Sequence, residues 1–138
     1  MDEMKHFENQ EEWIKYMVET FPKLYPTTEK VDDNIYTPFE LFEFETPQGW
    51  NKLLFDLSWL ITDYCENNNV DFPDIQQVKS KFGELRYYYS GGDKYISILI
   101  SGFEEQSTRT CENCGSHDDV KTGGKGWVVT LCKNCRGE

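Results

Sequence analysis

Four of the five cysteines fall into two pairs, Cys111-Glu-Asn-Cys114 and Cys132-Lys-Asn-Cys135, separated by 17 residues. Two Cys-x-x-Cys pairs at this separation have the spacing of a four-thiolate metal site. Two thiolates three residues apart in a tight turn grip one face of a metal ion. A second such turn, carried back by a short hairpin, completes the tetrahedron. Glycine lies just beyond each pair, at Gly115 and Gly137, where the backbone must turn its amides toward sulfur. Between the pairs, residues 118–121, the glycine-rich 122–126 and the run Trp-Val-Val-Thr-Leu at 127–131 have the composition of strand, turn and strand. The pattern is that of a zinc ribbon with one structural Zn2+ per chain on Cys111, Cys114, Cys132 and Cys135. Tetrahedral sulfur also suits iron, and spacing alone does not separate the two metals. Two disulfides would need an oxidising compartment, and a thioredoxin-type redox pair would be a single motif opening a helix. His117, three residues after Cys114, reads as a solvated turn residue. Cys65 reads as a small buried hydrophobe at the end of an apolar helical face.

The elements that must position these cysteines are visible upstream. Trp13, Ile14, Met17, Val18 and Phe21 recur at helical spacing over 8–21, and Pro22 and Pro26 end that pattern. Residues 22–47 form an acidic, aromatic connection whose run at 39–44 permits a short strand. The strongest helix follows: Trp50, Leu53, Leu54, Leu57, Leu60, Ile61, Tyr64 and Cys65 share one face, and three asparagines at 67–69 stop it. Phe55 and Trp59 fall off that face, which predicts burial on two sides. Residues 75–82 and 84–89 read as a hairpin turning near Gly83. Asp93 is placed to cap a third helix over 94–107, with Ile96, Leu99, Ile100 and Phe103 as its core stripe. That helix runs into Cys111 with no Gly/Ser/Pro tether. Trp127, too large for a 30-residue hairpin to bury, is expected to pack against the helices. The predicted architecture is α+β: helices packed on a small antiparallel hairpin or sheet, an acidic body at 1–108, and a ribbon at 109–138 docked on it.

The chain has 138 residues, 38% of them hydrophobic, enough for one modest core. No apolar run approaches the roughly 20 residues of a membrane span, and the acidic first ten residues lack a secretory signal. The expectation is a cytoplasmic protein without membrane contact. The net charge of -11 is unevenly spread. Residues 1–72 hold 16 acidic and 5 basic side chains, while residues 73–138 hold 9 of each. The first half repels phosphate backbones and anionic lipids and attracts a basic protein surface.

Several segments recur together in small proteins of phages and prophages, and the chain resembles that family. They are Gly49-Trp50, Val78-Lys-Ser-Lys-Phe-Gly-Glu-Leu-Arg-Tyr-Tyr88, Ser90-Gly-Gly-Asp93, Thr110-Cys-Glu-Asn-Cys-Gly115, Gly126-Trp127 and Thr130-Leu-Cys132. The resemblance covers residues 49–135. It implies a shared zinc-ribbon fold and a mobile-element origin, and it implies no catalytic residue. Relatives with this pattern often end the second pair with a histidine-type ligand. Here Cys135 leaves a four-cysteine set.

An enzymatic role lacks its usual signals. The two histidines, His6 and His117, are not near a recognisable nucleophile motif. Ser90-Gly-Gly-Asp93 lacks the lysine and hydroxyl of a phosphate-binding loop. A four-thiolate zinc has no open position for water. Nucleic-acid binding is the runner-up: Lys79, Lys81 and Arg86 to Tyr89 interleave cations and aromatics. Against it, residues 109–138 carry five basic and four acidic side chains, hardly a basic patch. The favoured reading is a non-enzymatic inhibitor or adaptor of a host protein with a basic surface, nucleic acid being disfavoured. Its candidate interface is the acidic, aromatic connector, with Tyr36, Phe39, Glu40, Phe42, Glu43 and Glu45 as contact residues. The sequence leaves the partner's identity and the oligomeric state open.

Overall fold

The computed structural model describes residues 7–27 and 44–138. Helix α1, Gln10–Thr20, starts where the Asn9 side chain accepts the Glu12 amide at 2.9 Å. Glu11 and Glu12 lie in its first turn, where the helix dipole favours negative charge. Its inner face buries Trp13 and Met17 and leads to Phe21, Leu24 and Tyr25, all buried. Its outer face exposes Glu11, Glu12 and Glu19.

Strand β1, Phe44–Glu45, is followed by a 3-10 turn at Gln48–Trp50 that feeds helix α2, Asn51–Asn68. Leu54, Leu57 and Ile61 are fully buried, with Leu53, Phe55 and Cys65 nearly so. Asn69 ends the helix in the left-handed conformation, φ 52°, as the asparagine run predicts. The second buried side is only half realised, since Phe55 is buried whereas Trp59 is exposed. Leu60 and Tyr64, on the predicted apolar face, are half-buried.

Strands β2, Asp74–Lys81, and β3, Glu84–Ser90, form the expected antiparallel hairpin. Its two-residue loop has Phe82 at φ 54° and Gly83 at φ 76°, the pair of positive values that a type I′ turn requires. Ile75, Val78, Leu85 and Tyr87 point into the core. Lys79 and Arg86, opposite each other in the register, and Tyr88 lie on the outer face. The sheet is mixed where an antiparallel one was expected: β1 adds parallel to β2, with Phe44 opposite Val78 and Glu45 opposite Lys79. Phe44 is the buried residue of that pair and packs edge-on to Trp13 and Tyr25, which draws β1 onto the core side.

Helix α3, Lys94–Ser107, has the predicted bounds and cap, the Asp93 carboxylate accepting the Ile96 amide at 3.0 Å. It also closes the free edge of β3. Glu104 accepts the Tyr87 amide at 3.0 Å, and the Ser107 hydroxyl accepts the Leu85 amide at 2.9 Å. Strands β4, Lys121–Gly123, and β5, Val129–Leu131, form a separate two-stranded hairpin. The result is an α+β fold with a C-terminal cluster of four cysteines. No described helix is long and apolar enough to cross a membrane.

One polar chain threads the core. The Ser58 hydroxyl donates to the Leu54 carbonyl at 2.7 Å, so it must accept from the Tyr25 hydroxyl, also at 2.7 Å. Tyr25 has then used its proton and accepts from Tyr87, again at 2.7 Å. The turn after α1, helix α2 and strand β3 are tied by one directed run of hydroxyls, and burial pushes the pKa of both tyrosines well above the ordinary phenol range.

Candidate metal centre

The first cysteine pair follows α3 after a short turn in which Thr108, Arg109 and Thr110 continue to bond backward to the helix. Within the pair the Gly115 amide donates to the Cys111 carbonyl at 2.9 Å, with Gly115 at φ 82°. The second pair repeats the turn: the Arg136 amide donates to the Cys132 carbonyl at 3.0 Å, and Gly137 takes φ 80°. A Cβ-bearing residue rarely adopts this conformation, which accounts for glycine beyond each pair. Hairpin β4–β5 brings the two turns together, and the Glu112 amide donates to the Thr130 carbonyl at 2.9 Å.

The sulfurs of Cys111, Cys114, Cys132 and Cys135 all lie within 4.8 Å of one another, and Cys114 and Cys132 are 3.7 Å apart. A tetrahedron with metal–sulfur bonds of about 2.3 Å has edges of about 3.8 Å, so the set fits one metal ion of zinc's size. All five cysteines are free of disulfides. Cys111 and Cys132 are buried, Cys135 is half-buried and Cys114 faces outward.

Local electrostatics favour the thiolate at Cys111 and oppose it at Cys114 and Cys135. Burial opposes ionisation of Cys111, but the amides of Cys132, Cys114 and Asn113 outweigh it and bring the thiol down to about 6. At Cys114 the Ser116 amide favours the anion, yet burial and the neighbouring sulfurs prevail and push the thiol up to about 12. Asn113 favours the Cys135 anion, and the sulfurs of Cys132 and Cys111 raise that thiol on balance. A divalent cation among the four sulfurs would reverse the mutual repulsion.

Two supporting residues were not foreseen from spacing. The Asn113 amide donates to the Cys135 sulfur at 3.3 Å, linking the two turns. The Arg136 guanidinium donates to the Leu131 carbonyl at 2.7 Å, to the Asp119 carboxylate at 2.8 Å and to Glu138 at 2.8 Å. It thereby locks the second turn onto the approach to β4. The only sequence signal for either was a polar residue inside or just after a cysteine pair.

The module is seated on the body by backbone. The Gly49 amide donates to the Glu112 carbonyl at 2.8 Å, and the Trp50 indole donates to the Thr110 carbonyl at 3.0 Å. A Cβ on Gly49 would stand 2.2 Å from the Cys111 carbonyl oxygen, so only glycine permits this approach. On the other side the Thr130 hydroxyl donates to the Gly83 carbonyl at 2.5 Å. These contacts replace the expected docking of Trp127, which is 82% exposed. The hairpin seats its threonine face on the Gly83 turn, and its glycine-rich loop carries the indole outward.

His117 is exposed, outside the sulfur set, with Nδ1 donating to the Arg109 carbonyl at 3.2 Å. Cys65 is buried as predicted, 3.8 Å from the Asp71 carbonyl, and burial pushes its thiol up. Of the candidate partner residues, Glu45 is exposed at the end of β1, whereas Tyr36, Phe39, Glu40, Phe42 and Glu43 lie outside the described residues. A cleft of about 840 Å³ separates the body from the first cysteine pair. Its walls are rich in amides, Gln10, Gln48, Asn51 and Asn113 among them, and Gln10 and Asn51 bond reciprocally at 2.9 and 2.8 Å. No family model, curated protein or solved structure matches the chain.

Proposed function

We propose that this chain is a small, non-enzymatic zinc-binding protein of phage or prophage type that acts by binding a host protein in the cytoplasm, as an inhibitor or adaptor. The observation that carries the metal reading is the set of four sulfurs within 4.8 Å, held by two matching turns. Four thiolates fill the coordination of zinc and leave no position for water or substrate, so the ion is structural, one per chain. Zinc is preferred to iron because its role here is to hold a small hairpin, and apparent binding energies on the order of 10 kcal/mol stabilise such modules.

Support for a basic protein partner comes from charge. The exposed side of α1 carries Glu11, Glu12 and Glu19 against Lys15, Glu45 is exposed, and the first half of the chain holds all of the acidic excess. Opposite potentials speed encounter and set register more than they set affinity. Phage origin rests on the sequence resemblance, and a counter-defence role rests on analogy.

Native mass spectrometry combined with metal analysis tests the first part, with one zinc per chain expected. A folded, metal-free chain with two disulfides would refute it. Affinity capture from a bacterial host lysate tests the second. Glu40→Lys, Glu43→Lys and Glu45→Lys together should abolish capture without lowering the melting temperature, and unchanged capture would remove that segment from the interface.

A further inference from the structure

The β2–β3 turn places an aromatic ring where neither conformation nor burial calls for one. Phe82 has φ 54° and is 72% exposed. Bulky residues are genuine outliers in this region, and asparagine, aspartate or glycine is the usual occupant of such a turn position. Strain retained at an exposed ring points to a use for the ring.

A second ring stands on the element docked against this turn. Gly83 meets Thr130 and Thr122, the hydroxyls of those two threonines are 2.7 Å apart, and the β4–β5 loop beyond them carries Trp127, 82% exposed. Four lysines belong to the same two hairpins: Lys79 and Lys81 on β2, Lys121 on β4, and Lys125 in the loop before Trp127. Among the described residues none of the four is in an ion pair, a state they share with Lys15, Lys94 and Lys133, whereas Lys23, Lys52, Arg86, Arg109 and Arg136 are paired. Lys79 lies 5.9 Å from the Tyr88 ring and Lys81 5.9 Å from the Phe82 ring. The local acids are largely engaged: Arg86 holds Glu84 at 3.1 Å, and Arg136 holds Asp119 and Glu138. Glu45 beside Lys79, Glu112 and Asp118 remain as opposing charges. A count over residues 109–138 therefore understates the positive charge the two turns present.

We infer that the corner formed by the docked turns at Phe82 and Trp127 binds single-stranded nucleic acid, the rings stacking on bases while Lys79, Lys81, Lys121 and Lys125 contact phosphates. Each nucleotide of a single strand offers a flat π face and one negative charge, the two features that exposed rings and unpaired lysines can bind. A duplex hides its base faces and would leave both rings unused. Phe82, Trp127 and the four lysines are not among the residues assigned to a protein partner, although Glu45 of that set pairs beside Lys79, so substitutions at the two rings test this surface on its own.

The test uses the zinc-loaded full chain and fluorescein-labelled oligothymidylate and oligouridylate of roughly 15 nucleotides, within the range one small domain covers. Binding by anisotropy is expected at low salt, with a log–log salt slope of about -2 to -3 for three or four neutralised phosphates. Phe82→Asn relieves the turn, so its melting temperature should hold or rise while affinity falls at least about fivefold. Trp127→Ser should lower affinity similarly, with zinc content unchanged. The proposal is overturned by absence of binding at low salt, or by wild-type affinity in Phe82→Asn and Trp127→Ser. It is also overturned if poly-glutamate or a duplex of the same length competes as well as the single strand, or if the two rings prove to hold a dimer by sedimentation.

Discussion

The hydroxyl of Thr130, in the strand leading to the second cysteine pair, donates to the carbonyl of Gly83 at the tip of the β2–β3 hairpin, 47 residues earlier, at 2.5 Å. Both groups are enclosed, so neither can turn to water instead. Thr130→Val keeps the shape and removes the donor. Leaving a buried acceptor unpaired costs about 1–3 kcal/mol. The expected result is a lower melting temperature with zinc still bound, and faster amide exchange in β4 and β5 than in α2. Uniform exchange across the chain would contradict this seat.

Gly49 should tolerate no side chain. Its added methyl would meet the Cys111 carbonyl at 2.2 Å and the Glu112 carbonyl at 2.5 Å. Both are backbone and cannot swing aside. Gly49→Ala should therefore destabilise the chain by about 2 kcal/mol or more and disturb the Cys111 turn. Zinc competition with a chromophoric chelator would detect the second effect, and unchanged retention of zinc would refute it.

The order of donors in the core predicts an asymmetry between two similar substitutions. Tyr87→Phe removes the first donor and leaves Tyr25 still bonded to Ser58. Tyr25→Phe removes the middle link, so the Tyr87 hydroxyl loses its acceptor in a fully buried position. The second change should cost about 1 kcal/mol more than the first. Equal losses in denaturant titrations would mean the chain runs differently.

Asp93 and Tyr64 link the start of α3 to α2 through a hydrogen bond of 2.5 Å. The Tyr64 hydroxyl, with the Ile96 amide, holds the Asp93 carboxyl below the usual range, and Asp93 with burial pushes Tyr64 up to about 12. A lowered carboxyl stabilises the fold above about pH 4, and that contribution is lost as pH falls through the lowered value. A raised phenol contributes below about pH 10, and that contribution is lost as pH rises toward 12. Carboxyl NMR should show the Asp93 midpoint rising in Tyr64→Phe. A midpoint that stays put would remove Tyr64 as the cause.

Local rules carried the reading of the helices and the cysteine set, because a helix face or a cysteine turn is complete within a few residues. Periodicity from Trp50 to Cys65 and the Asp93 cap sufficed for α2 and α3. What stayed hidden depends on residues far apart in the chain. Nothing near Gly49 announces the Cys111 carbonyl, and nothing near Tyr25 announces Tyr87. Trp127 went the wrong way for the same reason: its size argued for burial, but the seat of its hairpin was taken by Thr130 and Gly83. The parallel pairing of β1 was likewise decided by the packing of Phe44 against Trp13 and Tyr25.

The close approach of Gly49 to Cys111 makes the metal and the body thermodynamic partners. Whatever free energy zinc adds to the seating of the module, a properly formed body must add to the binding of zinc, since the two are arms of one cycle. Affinity for zinc is thus a readout of the fold at Trp50 and Gly83, well away from any sulfur. A substitution in the body that weakens the seat should release metal more readily, and measuring that release would measure the seat.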